Sequence, residues 1–329
     1  MKTIRIIQYG LGPIGCATAR LIVEREGLQL VGAVDIDPQK IGRDAGEVIS
    51  VGELGISVAA TLGEALQQTN ADVVMHTTAS YFDLFKNQIL DILAAGLDIV
   101  STSEELSFPW LANAHHAEEI DAAAKKAGKS VMGTGVNPGF LMDSLPLFLT
   151  SICQRVNRIS VTRRINASTR RGPFQAKIGS GMSIDAFKAK MAEGRMGHVG
   201  LPESMGMLFD TLGRKLAKYQ ATVEPVVADV LTTTEHFEVP PGQVKGLRQV
   251  AHGYTDDGEF ATLTFIAALA LEDEGETINI YGKPNLEVKT KGTNGDLATV
   301  AIAVNAIRRI HAAAPGLHTM RDLPIVTAW

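Results

Sequence analysis

Short apolar runs alternate with amphipathic segments along the N-terminal part of the chain. The apolar runs predict strands, and the segments between them carry apolar side chains at helical spacing. The predicted strands are 4–9, 28–35, 58–60, 72–76, 98–101 and 130–133, and the predicted helices are 14–26, 62–68, 81–95 and 113–127. This alternation predicts a doubly wound α/β domain, a parallel Rossmann sheet with helices on both faces.

The pattern changes after about residue 145. The later strands are longer and partly alternating, and two helices lie among them. The predicted strands are 157–168, 222–238, 245–256, 259–272 and 276–281, and the predicted helices are 183–194 and 202–218. This arrangement predicts a C-terminal α+β domain with a mixed β-sheet.

A strongly apolar helix follows at 296–314 and ends at Pro315-Gly316. Such a helix needs a core to cover, so we expect it to return to the first domain. The predicted domains are therefore a dinucleotide-binding domain, 1–143 completed by 294–329, and a substrate-binding and dimerisation domain, 144–293.

Composition narrows the class of protein. The chain has 329 residues, 45% of them hydrophobic, and a net charge of −5, which disfavours nucleic acid as a partner. No apolar run is long enough to predict a membrane span, and the N-terminus lacks signal-peptide features. With two cysteines and no metal-ligand spacing, we expect a soluble cytoplasmic protein without disulfides or metal.

A glycine-rich turn follows the first predicted strand. It reads Gly10-Leu11-Gly12-Pro13-Ile14-Gly15, and Asp35 ends the next strand. The first glycine permits a tight turn, the second lets a pyrophosphate approach the backbone, and the third lets helix and strand pack closely. The free N–H groups of the helix attract phosphate. The pattern predicts a dinucleotide site.

Asp35 favours NAD, because its charge repels a 2′-phosphate. Lys40 and Arg43 leave NADP as an alternative, since they are cations in the loop that follows. Other cofactor contacts are expected where later strands end, at Thr77, Thr78, Thr102 and Asn137.

Two adjacent acids, Glu104 and Glu105, follow the strand at 98–101. A carboxylate beside the nicotinamide can stabilise an iminium or take a proton from an ammonium. Glu104 is the first choice for the catalytic residue, because Glu105 can serve a helix start.

Several stretches together resemble the 2,4-diaminopentanoate dehydrogenase family. They are VDIDPQKIGRDAGE (34–47), STSEELSFPW (101–110), GTGVNPGFLMD (133–143), GKPN (282–285) and TNGDLATVAIAVNAI (293–307). The native amine dehydrogenases are similar to this family, and both belong to a wider dihydrodipicolinate reductase-like group. No lysine lies in 101–110 and no anion-binding segment follows His115-His116, so homoserine dehydrogenases and true dihydrodipicolinate reductases are disfavoured.

The resemblance implies an NAD(P)-dependent amine dehydrogenase. Such an enzyme converts an amine and water into a carbonyl compound and ammonia, and its catalytic glutamate corresponds to Glu104. The expected substrate-lining residues are Phe140, Met142, Phe174 and Gln175. A homodimer is expected from fold analogy.

Three questions stay open at this stage. The arginines between Arg163 and Arg171 either bind a substrate carboxylate or lie on an exposed strand, so a diamino acid and a simple amine are both possible substrates. A C=N or C=O reductase that uses no ammonia is one alternative function. A catalytically silent NAD(P)-binding regulatory protein is the other.

Overall fold

The computed structural model describes residues 3–194 and 196–329. The chain divides into two compact units, 1–140 with 294–329 and 141–293. The boundary predicted between the two domains was at residue 143.

Parallel strands form the sheet of the first unit. The strands are β1 (Ile4–Tyr9), β2 (Leu28–Val34), β3 (Val58–Ala59), β4 (Val73–His76), β5 (Asp98–Ser101), β6 (Ser130–Gly133) and β15 (Gly316–His318). Their order is β15-β6-β5-β4-β1-β2-β3, and every neighbouring pair is parallel. The strand order reverses at β1, where open α/β sheets bind ligands beyond the carboxyl ends of their strands. The predicted Rossmann sheet is confirmed.

Helices cover this sheet because its strands are apolar on both faces. The helices are α1 (Pro13–Glu24), α2 (Ala45–Val48), α3 (Leu62–Gln68), α4 (Phe82–Ala94), α5 (Ala114–Ala127) and α10 (Gly295–His311). In α4, for example, the side chains of Phe82, Phe85, Ile89 and Ile92 are buried, which is the spacing of a single helix face.

The last helix belongs to the first unit. Asn294 caps α10 by accepting hydrogen bonds from the N–H groups of Asp296 and Leu297. The buried face of α10 packs on α1 and on β4, β5 and β6. The helix ends at His311, a few residues before the predicted stop at Pro315-Gly316, and β15 then adds a seventh strand beside β6.

A second sheet organises the second unit. Its strands are β7 (Arg155–Asn166), β8 (Lys218–Val227), β11 (Val244–Thr255), β12 (Gly258–Ala268), β13 (Gly275–Lys283) and β14 (Leu286–Thr290). Their order is β14-β13-β7-β12-β11-β8, and β7 and β12 are parallel whereas the other pairs are antiparallel. The predicted mixed sheet is confirmed. A small separate ribbon pairs β9 (Thr232–Thr233) with β10 (Glu238–Val239).

Four helices complete the second unit: α6 (Ser144–Thr150), α7 (Gly172–Lys177), α8 (Ile184–Ala192) and α9 (Leu201–Thr211). The predicted helix 202–218 was too long. It ends at Thr211, Gly213 has a φ of +62°, and β8 begins at Lys218. A glycine in the left-handed conformation ends a helix, even where the apolar periodicity of the sequence continues beyond it.

Candidate active site

The glycine loop between β1 and α1 has the geometry that the sequence predicted. Gly10 has a φ of +92°, and a Cβ on Gly15 would lie 1.9 Å from the carbonyl oxygen of Gly10. Both positions therefore exclude any other residue. A Cβ on Gly12 would meet no atom within 4 Å. The loop is thus packed tightly beneath Gly10 and Gly15 and is open at Gly12, where α1 begins and offers its free N–H groups.

The side chain of Gln8 is hydrogen-bonded to this loop and to the residues around it. Its buried side-chain amide donates to the Gly10 carbonyl (2.9 Å) and to the Thr77 hydroxyl (2.8 Å), and it accepts from the Thr18 hydroxyl (2.9 Å). Sequence reasoning missed this residue. The signal was an amide within a largely apolar strand, since a buried amide must find partners.

Asp35 is tied to the same loop. One carboxylate oxygen accepts from the Leu11 N–H (2.6 Å) and the other from the Asp37 N–H (2.8 Å). Lys40 lies 3.4 Å from Asp35, and the carboxylates of Asp35 and Asp37 raise the pKa of Lys40 against the opposing effect of burial. Asp35 is therefore a fixed anion beside the glycine loop, with one cation attached to it.

The cation in contact with Asp35 is Lys40, whereas Arg43 is exposed. Among the other predicted cofactor residues, Pro13 is exposed at the first position of α1, Ile14 is partly exposed and Leu11 is buried. The prediction that these residues contact the cofactor stays a prediction.

Thr77, Thr78, Thr102 and Asn137 all lie just beyond strand ends in the first unit. The Thr77 hydroxyl donates to the Gly10 carbonyl (2.9 Å), and that of Thr78 donates to Gln88 (2.7 Å). Asn137 is buried, whereas Thr102 is partly exposed. The two adjacent threonines therefore support the site from within the protein, and a direct contact with cofactor stays a prediction for all four.

Glu104 and Glu105 begin a 3₁₀ turn directly after β5. The carboxylate of Glu105 accepts a 2.6 Å hydrogen bond from the Phe82 N–H, the first N–H of α4. Burial raises the pKa of Glu105, helped by the charges of Asp83 and Glu104 and opposed by the hydrogen bond from Phe82.

The partly exposed Glu104 is held by its backbone. Its carbonyl accepts from the hydroxyl (2.8 Å) and the N–H (3.1 Å) of Ser107. Within residues 3–194 and 196–329, its carboxylate has no hydrogen-bond donor or cation in contact. Of the two adjacent acids, Glu104 thus has the carboxylate that is open to a ligand.

The predicted substrate-lining residues are distributed over both units. Phe140 ends the first segment of the first unit, whereas Met142, Phe174 and Gln175 belong to the second. The amide of Gln175 is fully buried and donates to the carbonyls of Ser168 and Arg170. It also accepts from the Thr234 hydroxyl (2.8 Å). Gln175 therefore organises its own loop, and the prediction that it lines the substrate stays untested.

The arginines of β7 point to opposite faces of the second sheet. Arg164 is partly exposed and donates to the Asp273 carbonyl, but Arg163 is 2% exposed. Nε of Arg163 lies 3.4 Å from the equally buried Glu276, and burial lowers the pKa of Arg163 to about 10 although Glu276 opposes this. In the described part of the chain, Nε and Nη2 of Arg163 have no hydrogen-bond acceptor.

One group of metal-capable side chains occurs among the described residues, namely His115, His116 and Glu119, with ligand atoms within 4.8 Å of one another. The Lys86 ammonium already contacts the Glu119 carboxylate (3.0 Å), and the His116 ring stacks on Phe82. We assign no metal role to this group.

Comparison with known proteins identifies the family. The model of the 2,4-diaminopentanoate dehydrogenase C-terminal domain matches residues 140–329, and that of the dihydrodipicolinate reductase N-terminus matches residues 4–102. The 2,4-diaminopentanoate dehydrogenase of Acetoanaerobium sticklandii is 33% identical over 100% of this chain and 95% of its own length. The chain belongs to the 2,4-diaminopentanoate dehydrogenase family.

A second relative and a solved structure are also similar along nearly the whole chain. The amine dehydrogenase of Streptomyces virginiae is 24% identical over 98% of this chain and 96% of its own length. The solved structure of the amine dehydrogenase from Mycobacterium smegmatis has the same fold, with a TM-score of 0.88 at 24% identity over 99% of this chain and 97% of that one. The predicted family, dehydrogenase class and NAD(P) cofactor are confirmed. None of the helices described here has the length and apolar character that a membrane crossing requires.

Proposed function

We propose that this dehydrogenase catalyses the reversible oxidative deamination of a small amine. A primary amine, NAD⁺ and water give a ketone or aldehyde, ammonia, NADH and a proton, and the reverse reaction is a reductive amination. The names of the full-length relatives, 2,4-diaminopentanoate dehydrogenase and amine dehydrogenase, support an amine as the hydride donor. Free ammonia is the nitrogen product of deamination and the co-substrate of the reverse reaction.

The cofactor fits the residues that are present. The open space at Gly12 and the N–H groups of α1 would hold the pyrophosphate, and Asp35 would hold the adenosine ribose. When bound, NAD(P) supplies the hydride acceptor or donor. We propose a preference for NAD, because the Asp35 carboxylate is fixed by two backbone N–H groups and would repel a 2′-phosphate.

Glu104 is the proposed catalytic residue. This role is supported by the different contacts of the two acids after β5. Glu105 is hydrogen-bonded to Phe82, whereas the Glu104 carboxylate has no partner in the described residues. A free carboxylate can take a proton from the substrate ammonium and stabilise the positive charge of an iminium. Once that proton has been released, the carboxylate can accept another from the attacking water and deliver it to the nitrogen that leaves as ammonia.

Arg163 does not distinguish a diamino acid from a simple amine as substrate. Its guanidinium is 2% exposed and lies 3.4 Å from the equally buried carboxylate of Glu276, so the described residues leave it no access to a substrate carboxylate.

A homodimer is proposed through the second sheet. The face of that sheet opposite Arg163 carries partly exposed polar side chains on three adjacent strands, Ser160 and Thr162 on β7, Thr264 on β12, and Thr277 and Asn279 on β13. Such a face can pair with its own copy about a two-fold axis. Sedimentation of the wild type and of Thr162→Arg tests this, with a dimer and a monomer as the expected species.

The decisive experiment follows NADH and NADPH oxidation with a panel of ketones, aldehydes and keto acids, with and without ammonium. The proposal predicts oxidation only with ammonium, its loss in Glu104→Gln, and its retention in the matched Glu105→Gln. Oxidation that ignores ammonium would indicate a C=N or C=O reductase. Tight NADH binding without turnover of any substrate would indicate a regulatory protein.

A further inference from the structure

His76 lies at the end of β4, and its imidazole is fully buried. Nδ1 lies 2.9 Å from the Ser101 hydroxyl oxygen, and Nε2 lies 2.8 Å from Oε1 of Gln88 and 2.9 Å from the Thr78 hydroxyl. Both ring nitrogens are therefore within hydrogen-bond distance of polar side chains.

These contacts fix the tautomer of His76. Oε1 of Gln88 can only accept, and it already accepts from the Thr78 hydroxyl at 2.7 Å. Nε2 of His76 must then carry the proton, which leaves Nδ1 as an acceptor. Burial lowers the pKa of His76 to about 4, so the ring stays neutral near neutral pH.

The tautomer in turn orients Ser101, the last residue of β5. Its hydroxyl donates to Nδ1 of His76, so the lone pairs of the oxygen face away from the ring. One of them accepts the Ser103 N–H at 3.1 Å. Ser103 directly precedes Glu104, and its carbonyl accepts the N–H of Leu106 at 3.1 Å. The 3₁₀ turn that presents Glu104 is thereby anchored at Ser103, the residue that directly precedes it.

We infer that His76 is a positioning residue for Glu104, acting through the Ser101 hydroxyl and the Ser103 N–H. The inference rests on the proposed role of Glu104. By this inference the position of Glu104 depends on four residues that do not themselves react. They are His76, Gln88, Ser101 and Ser103. A small displacement of a reacting group from its productive position is enough to slow a reaction greatly.

Two substitutions at the same position separate this role from simple packing. His76→Asn keeps an acceptor where Nδ1 lies and loses the bond to Gln88. His76→Gln keeps a donor where Nε2 lies and loses the acceptor for Ser101. We expect His76→Gln to lower kcat for amine oxidation about 10- to 100-fold, with the Kd of NADH within threefold, and His76→Asn to restore most of that loss.

Ser101→Ala provides a variant that removes only the hydroxyl, in case changes at His76 prevent folding. It should reproduce the kcat loss of His76→Gln, and the double variant should be no slower than either single one, because both break the same chain of bonds. Fully multiplied losses in the double variant would overturn the inference.

Hydrogen exchange at residues 101–107 gives a readout that needs no turnover. Exchange of the Ser103 N–H should be faster in His76→Gln and Ser101→Ala and close to wild type in His76→Asn. Unchanged exchange in Ser101→Ala, or faster exchange with kcat preserved, would overturn the inference. A wild-type enzyme that oxidised no amine would instead overturn the proposed function, and the exchange data would still decide whether His76 anchors the turn.

Discussion

The Phe82 N–H donates a 2.6 Å hydrogen bond to the carboxylate of Glu105, across 23 positions of sequence. This bond gives two adjacent and chemically identical side chains different surroundings. Glu105 caps the start of α4, where a negative charge is favoured by the helix dipole. Glu104 is left available for chemistry.

The first prediction concerns the stability that this cap contributes. Glu105→Ala should lower the free energy of unfolding by about 1–2 kcal/mol, because the first N–H of α4 loses its acceptor. Urea unfolding measures the change. Glu105→Gln, which keeps an acceptor oxygen, should lose less, and Glu104→Ala should lose almost nothing. A greater loss in Glu104→Ala would contradict the assignment of the two acids.

The second prediction separates the roles of two glycines in the cofactor loop. Gly12→Ala should fold normally and bind NADH weakly, because its Cβ enters open space that the pyrophosphate would fill. Gly15→Ala should lower the melting temperature, because its Cβ would lie 1.9 Å from the Gly10 carbonyl oxygen. Thermal unfolding and fluorescence titration with NADH measure the two effects. Unchanged NADH affinity in Gly12→Ala would place the dinucleotide elsewhere.

The third prediction concerns the choice between NAD and NADP. Asp35→Asn removes the charge but keeps an oxygen that can accept the Leu11 N–H. The ratio of kcat/KM for NADH to that for NADPH should fall about tenfold or more, because the repulsion of the 2′-phosphate is lost and Lys40 is released to pair with it. Adding Lys40→Met should remove the gain with NADPH. A ratio that does not move in Asp35→Asn would show that this carboxylate does not select the cofactor.

The fourth prediction is a loss of stability in mild acid from two buried histidines. Burial lowers the pKa of His76 to about 4 and that of His198 to about 3, whereas an unfolded histidine titrates near 6.5. The unfolded chain therefore binds more protons than the folded one below pH 6.5. Stability is full above that pH and is lost as the pH falls toward 4, by about 1.4 kcal/mol per pH unit for each histidine.

Urea unfolding between pH 5 and pH 7 measures this slope. His198→Phe should make it shallower, because phenylalanine keeps the stacking on Phe265 and does not titrate. A slope that is the same in His198→Phe and the wild type would mean that His198 does not contribute to it.

The sequence by itself determined the nucleotide-binding half of this protein. The strands, the glycine turn and Asp35 follow from local rules, because the requirements at Gly10 and Gly15 and the burial of an apolar strand are met within one βαβ unit. The return of α10 to the first unit was also predictable, since a helix so apolar needs a core to cover. The short elements α2, α6, α7 and β14 were missed, because a few residues show too little periodicity.

Only the tertiary structure decided the use of the polar side chains. The different surroundings of Glu104 and Glu105 depend on Phe82, and the tautomer of His76 depends on Gln88 and Ser101, in other elements of the fold. Arg163 is buried against Glu276, and nothing near Arg163 in the sequence indicates this. The physical reason is that a buried polar group must be satisfied by whichever partners the folded chain brings within about 3 Å, and local sequence does not specify those partners.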